Sequence, residues 1–229
     1  MNNVVILTGA GISAESGLRT FRDSDGLWEN HSIYDVATPE AWERNPTLVQ
    51  KFYNERRRDI QKSQPNKAHI LLAEMQNKFN VNIITQNIDN LHERAGSKNV
   101  IHLHGVITHS QSSKNPELTY MIDYEDINQG DLCELGSQLR PHVVWFGEAV
   151  PKMEEAILQA SLADIFVVIG TSLAVYPASS LLHFVEPILP KFILDPGNPP
   201  VSGYKNLKHL KFPATIGIDH LMKELEKFA

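Results

Sequence analysis

Three groups of residues stand out for the chemistry their types and spacing permit. The segment Thr8-Gly9-Ala10-Gly11-Ile12-Ser13-Ala14 directly follows an apolar run and matches G-x-G-x-x-A. Small residues there let a backbone approach a pyrophosphate, and the next helix offers free N–H groups. A dinucleotide site is expected. The acid that reads a ribose about 20 residues on in ordinary dinucleotide folds is missing, because Asp35 falls in a loop before helices, so a standard hydride-transfer site is not. His102 and His104 lie two apart, which puts both imidazoles on one strand face. A metal pair is conceivable, but without further ligands His102 reads as a packed or hydrogen-bonded histidine. On a helix over 46–62, Val49, Phe52, Tyr53, Arg56 and Ile60 form one apolar stripe, with Tyr53 and Arg56 adjacent. Glu55, Arg57 and Arg58 point elsewhere on this spacing. The Arg56 guanidinium needs a partner there, since an uncompensated buried charge is costly.

Elements that could position these groups are visible in the hydrophobic pattern. Residues 4–7, 81–84, 100–103, 143–146, 165–169 and 192–194 read as strands, apolar enough to be buried on both faces. Ala68, Leu71, Leu72 and Met75 recur at helical spacing, as do Ile218, Leu221, Met222 and Leu225. Asp219 stands near the start of the latter helix, where the helix dipole favours an anion. Strand–helix alternation indicates an α/β fold, a Rossmann-like doubly wound parallel sheet. Residues 29–66 and 106–139 do not alternate and read as insertions forming a small lobe on one catalytic domain spanning 1–229. The first is helical, with Thr38-Pro39 and Asn45-Pro46 each a cap followed by proline at the first helical position. The second is polar, irregular and expected to be loosely ordered.

The chain has 229 residues, 42% apolar and 21% charged, enough for one large domain with modest insertions. Its net charge of −6 argues against a general nucleic-acid binder. Cys133 is the only cysteine, so no intrachain disulfide and no cysteine-based zinc site can form. The N-terminus lacks the pattern of a signal peptide, and no apolar run approaches the ~20 residues of a membrane span. A cytoplasmic protein without membrane or nucleic-acid partners is expected.

The glycine segment continues Glu15-Ser16-Gly17-Leu18-Arg19-Thr20-Phe21-Arg22-Asp23, then Gly26-Leu27-Trp28. Further blocks follow in order: Thr85-Gln86-Asn87-Ile88-Asp89-Asn90-Leu91-His92, His102-Leu103-His104-Gly105, Arg140-Pro141-His142-Val143-Val144-Trp145-Phe146-Gly147-Glu148, Gly170-Thr171-Ser172 and Val175-Tyr176-Pro177-Ala178. Together they resemble the sirtuins, the NAD-dependent protein-lysine deacylases, and most closely the bacterial class III members. The resemblance implies NAD as cofactor and acylated-lysine proteins as substrates. Gly9, Ala10 and Gly11 would approach the phosphates, with Glu15, Phe21, Arg22 and Trp28 in the same cofactor-binding region. Gln86, Asn87, Ile88 and Asp89 would receive nicotinamide and its ribose. His104 would be the general base, a task suited to an unperturbed pKa of ~6.5, with Asn87 and Asp89 beside it. Gly170, Thr171, Ser172, Asp195 and Ala214 would line the phosphate and adenosine side. Val144, Phe146 and Gly147 would pair with an extended substrate peptide. Tyr53 and Arg56 resemble the pair that holds the free carboxylate of succinyl- or malonyl-lysine; a neutral acetyl group would also fit. Products would be lysine, nicotinamide and O-acyl-ADP-ribose.

One departure concerns 106–139, where most sirtuins carry four zinc cysteines and this chain has only Cys133. No zinc is expected, and local stability should be lower there. Sirtuins of this size imply a monomer. Two other readings stand beside the deacylase: an NAD hydrolase or ADP-ribosyltransferase on the same fold, and a non-catalytic NAD-binding regulator.

Overall fold

The computed structural model describes residues 1–19, 27–28 and 31–229, the side chains of residues 27 and 28 excepted. Its described strands are β1 (Asn3–Thr8), β2 (Leu27–Trp28), β3 (His31–Ser32), β4 (Asn80–Thr85), β5 (Val100–His102), β6 (Gly105–Ser112), β7 (Thr119–Met121), β8 (Leu139–Val143), β9 (Ile165–Ile169), β10 (Lys191–Leu194) and β11 (Leu207–Leu210). The described α-helices are α1 (Ile33–Val36), α2 (Pro39–Arg44), α3 (Pro46–Lys62), α4 (Lys67–Glu74), α5 (Leu91–Arg94), α6 (Met153–Ser161) and α7 (Ala214–Leu225).

Six strands form one parallel sheet in the order β11-β10-β9-β1-β4-β5. The chain winds outward from β1 in one direction and from β9 in the other, as the expected α/β doubly wound sheet does. Central strands are buried on both faces because helices cover both. Val4, Ile6, Ile83 and Val167 pack with Ala68 and Leu72 of α4 and Ile218, Leu221 and Leu225 of α7. Val5, Leu7, Phe166 and Val168 pack instead with Ala156 and Ala160 of α6 and with Leu181 and Leu182 of the 3-10 segment Ala178–Phe184. Neighbours β1 and β9 end together, Thr8 opposite Ile169, and this is the switch point where open α/β sheets present their ligand crevice.

A separate core holds the inserted helices. Val36, Val49, Phe52, Tyr53 and Ile60 pack against Ile107, Val143 and Trp145. The helix starts are fixed as the sequence indicates: Thr38 Oγ1 accepts from the Ala41 amide, Asn45 Oδ1 accepts from Leu48, and Pro39 and Pro46 open the two helices.

Several expectations need correction. Residues 106–139 are irregular only in part: 113–118 and 122–138 are mostly turns and coil, but β6, β7 and the start of β8 fall within them, and the three strands form an antiparallel sheet, β7-β6-β8, with a register shift between Gly105 and Ser110. Its polar residues Thr108, Ser110, Gln111 and Ser112 are buried, so polarity there does not mark a loop. The strand expected over 143–146 ends at Val143, and residues 144–146 run on outside it. Edge strand β11 had no apolar run to announce it. After β1 the chain makes two 3-10 turns, Ala10–Ile12 and Ala14–Ser16, rather than an α-helix. Asp35 lies in short helix α1 and pairs with Arg44 at 2.9 Å, and Asp219 pairs with Lys67 on α4 at 2.5 Å.

Candidate active site

A cavity of about 420 Å³ opens at the carboxyl ends of β1, β4 and β9, and the inserted helices and the segment after β8 complete its wall. Gly9, Ala10, Gly11 and Glu15 line it from the first turn, and Gln86, Asn87, Ile88 and Asp89 from the end of β4. Gly170, Thr171 and Ser172 follow β9, Asp195 follows β10, and Ala214 opens α7. His104, Tyr53, Arg56, Val144, Phe146 and Gly147 face the same space. Thus every candidate whose side chain is described borders one cavity. Phe21 and Arg22 lie outside the described residues, as does the Trp28 side chain.

The glycine turn is built by close backbone packing. Gly11 N donates to Gly170 O at 2.8 Å and Gly9 N to Ile169 O at 3.0 Å. A Cβ on Gly11 would stand 2.7 Å from Gly170 Cα, and one on Gly9 2.7 Å from Thr171 Cβ. Ile12 and Ser13 amides turn back to Gly9 and Ala10 carbonyls. The amides of Gly9, Gly11, Ile12 and Ser13 are therefore already engaged, which corrects the expectation of a helix N-terminus offering them. Glu15 is also committed, its carboxylate accepting from the Thr215 amide at 2.9 Å and from the Thr215 hydroxyl, which ties the turn to the first turn of α7.

Behind the turn, Asn87 and Asp89 are held by a residue the sequence reading passed over. Asn87 Nδ2 donates to Gly9 O and to Ser13 Oγ, each at 3.2 Å, and Ser13 Oγ donates to Asp89 Oδ2 at 3.0 Å. Asp89 Oδ1 accepts from Leu91 N at 3.1 Å. All three side chains are buried, so the carboxamide and carboxylate are fixed before any ligand arrives. Gln86 Nε2 donates to Thr171 Oγ1 at 3.2 Å, joining the two strand ends across the switch point. Asp195 is wholly buried and accepts from Gly197 N at 2.8 Å.

His104 sits in the turn between β5 and β6 with Nδ1 2.9 Å from Gln86 O. A carbonyl only accepts, so Nδ1 carries the hydrogen and Nε2 keeps its lone pair in the neutral ring. Burial pushes the His104 pKa down, against the Gln86 hydrogen bond that raises it, and the neutral base prevails at neutral pH. His102 behaves as the packed histidine expected. Its Nδ1 meets Asn87 O at 3.0 Å and its Nε2 meets Glu93 at 2.7 Å. Burial lowers its pKa, but Glu93 and the Asn87 carbonyl outweigh that and hold it above the ordinary value. No group of three or more potential ligands occurs among the described residues.

Tyr53 and Arg56 share one face of α3, both buried, with Arg56 Nη2 3.3 Å from Arg19 O. Burial raises the Tyr53 pKa, so the phenol stays a donor. Beside them lies a second set that the sequence reading missed. Arg140 Nη2 donates to Glu148 Oε1 at 2.7 Å, its guanidinium stacks 3.9 Å over the Trp145 ring, and Glu148 Oε2 accepts from Trp145 N at 2.8 Å. With its amide turned to match its neighbours, Gln111 accepts from Arg140 at 2.7 and 3.0 Å and donates to His142 Nδ1 at 2.7 Å. This set fixes residues 144–148. Val144 N donates to His104 O and Phe146 N to Ala37 O, so a substrate strand would have to use groups other than these two amides.

Comparison with known proteins agrees with this geometry. The profile of the Sir2 family matches residues 9–177. A protein of Bacteroides thetaiotaomicron named NAD-dependent protein deacylase is 48% identical over 231 residues, covering 98% of each chain. One of the same name from Helicobacter pylori strain 26695 is 48% identical over 229 residues, covering 100% of each. A Sir2 homologue solved with NAD superposes with a TM-score of 0.87 at 37% identity, covering 99% of this chain and 90% of the other. A Sir2 mutant solved with a deacetylated p53 peptide and 3′-O-acetyl-ADP-ribose gives 0.80 at 33%, covering 96% and 92%. A switch-point cavity with a buried Asn–Ser–Asp set and an oriented histidine, on a chain so closely matched along its length, has one family to belong to: this chain is a member of the Sir2 family.

Proposed function

We propose that this protein is an NAD-dependent protein-lysine deacylase acting on succinyl- and malonyl-lysine as well as acetyl-lysine. Free lysine, nicotinamide and O-acyl-ADP-ribose are its products. The observation that carries the reading is the single cavity in which His104, Asn87 and Asp89 meet Tyr53 and Arg56. The names of the Bacteroides and Helicobacter relatives support the same activity.

The donor set suits NAD. Asn87 would offer a carboxamide to another carboxamide, Asp89 and Asp195 carboxylates to ribose hydroxyls, and Thr171 and Ser172 hydroxyls to the phosphates. When bound, NAD supplies the activated glycosidic bond whose cleavage accompanies deacylation. The protein does the rest. Ser13 keeps Asn87 and Asp89 in place, so little reorganisation is required on binding. His104 accepts a proton at Nε2 while Gln86 O holds the hydrogen on Nδ1. Arg56 meets the distal carboxylate of an acidic acyl chain with a planar fork of donors, and Tyr53 adds a hydroxyl donor.

The experiment is kcat/KM with NAD on matched succinyl- and acetyl-lysine peptides, for the native protein and Arg56→Met. The proposal expects succinyl activity to fall selectively in Arg56→Met, by about tenfold or more for a lost charge-assisted pair worth ~1.5–3 kcal/mol. Equal loss on both peptides would remove the carboxylate role while leaving the deacylase. Nicotinamide release that ignores the acyl peptide would favour an NAD hydrolase instead.

A further inference from the structure

Helix α3 carries a second polar set that the proposed site does not use. Gln50, Asn54 and Arg57 are buried on the side of the helix facing the small antiparallel sheet, whereas Tyr53, Arg56 and Ile60 face the cavity. Gln50 Nε2 donates to Leu139 O at 2.6 Å. Asn54 Nδ2 donates to Ile127 O at 2.9 Å, and its Oδ1 accepts from Ile127 N at 3.1 Å and from Arg57 Nη1 at 2.6 Å. Arg57 Nε donates to Ile107 O at 2.9 Å. Three side chains thus reach β6, β8 and the connection between β7 and β8.

Arg57 is fully buried, and burial pulls its guanidinium down to about 10. An apolar side chain would fill the same space without that desolvation cost. What it would lack is direction. An apolar interface lets a helix slide or rotate, whereas bonds from a planar guanidinium and a carboxamide to named carbonyls fix both. Asn54 and Arg57 each follow directly on a residue of the cavity face, Tyr53 and Arg56. A rise of 1.5 Å per residue means that any slip of the buried set is passed at once to that pair.

We propose that Asn54 and Arg57, assisted by Gln50, are positioning residues for acyl-chain selection. They fasten α3 to the small sheet, whose single cysteine excludes a four-thiolate clip, and thereby set the depth at which Tyr53 and Arg56 meet the acyl group. This rests on the deacylase reading given above.

The test compares Arg57→Met, Arg57→Lys and Asn54→Ser on matched succinyl- and acetyl-lysine peptides at saturating NAD. ADP-ribose affinity and hydrogen exchange at the Ile127 amide are measured alongside. In Arg57→Met the succinyl-to-acetyl ratio of kcat/KM falls roughly tenfold, within the ~10²-fold that a 1 Å misplacement can cost. The loss lies in the KM for succinyl peptide, ADP-ribose affinity is unchanged, and Arg57→Lys recovers part of the ratio. Asn54→Ser shifts the ratio the same way and speeds exchange at Ile127. Equal loss on both peptides, tracking the folded fraction, overturns the proposal. Should Arg57→Met fail to fold, an unchanged ratio in both Asn54→Ser and Gln50→Ala overturns it. Arg56→Met separates the two readings: if it leaves the ratio unchanged, the carboxylate reading and this proposal fall together, and if it lowers the ratio while the α3 variants do not, this proposal alone fails.

Discussion

At the scale of single residues, His104 shows how much a backbone acceptor decides. Gln86 O fixes the tautomer, and burial keeps the ring neutral, so Nε2 is available as a base without a carboxylate partner. Replacing His104 by Ala should lower kcat by about 10²–10⁴-fold while ADP-ribose still binds, a split that turnover and titration calorimetry would resolve. As the proposed base, His104 works only when neutral, so activity should fall as acid protonates it. Because the folded pKa lies below 6.5, the acid limb of kcat/KM should lie below that value too. A limb above 6.5 would assign it to another group. His104, Asn87 and Asp89 were legible because each stands in a contiguous block just after an apolar run. Ser13 was not, because its role depends on Asp89, 76 positions away. Arg57 does point away from the Tyr53–Arg56 face as its spacing indicates, but the role of that direction was hidden: helical spacing assumes one buried face, and α3 has two, one on the cavity and one on the small sheet.

The elements divide in the same way. Five of the six parallel strands are found by their apolar runs, and edge strand β11 escapes. The caps of α2 and α3 are local, so sequence reveals them fully. Asn45→Ala should cost about 1 kcal/mol of stability, seen in urea unfolding, with little change in catalysis. By contrast β6 hides. Its alternation is broken by the register shift after Gly105, and polar side chains such as Gln111, paired with Arg140 and His142 of β8, are buried where an apolar pattern would be needed to announce a strand. Gly105 itself has φ +76°, and a Cβ there would run into the His142 carbonyl of β8. Gly105→Ala should therefore push β8 from β6 just beside His104, costing ~1–3 kcal/mol and lowering turnover in the same variant. Normal turnover with a lowered melting point would mean that the β6–β8 junction does not set the position of the base.

Across the whole molecule, buried neutral histidines couple the site to acid stability. His69 and His92 lie fully buried behind Asp89 with ring centroids 4.9 Å apart, His92 reaching Thr8 Oγ1 at 3.0 Å. His69 Nε2 and His92 Nδ1 have no hydrogen-bond partner among the described residues, so neither buried ring is set up to carry two protons. Burial lowers His69 to about 4 and His92 well below 6.5, while burial together with His109, Arg140 and His102 lowers His142 to about 4. As pH falls below 6.5, the unfolded chain takes up protons on these rings that the folded chain refuses, His69 and His142 until about pH 4. Stability is therefore whole above 6.5 and lost as pH drops through that window. His102 has the opposite shift: its contribution is complete below 6.5 and lost as pH rises through its folded value, so it does not offset the acid loss. His69 alone contributes roughly 3 kcal/mol to the change, a large part of the ~5–15 kcal/mol that holds a domain folded. Urea unfolding at pH 7, 6 and 5 should show native stability falling steeply and His69→Gln falling less. Parallel curves for the two proteins would place the acid sensitivity elsewhere. A shallower curve for the variant would show that the histidines packed beneath the cofactor turn limit the acid range in which the cavity stays assembled.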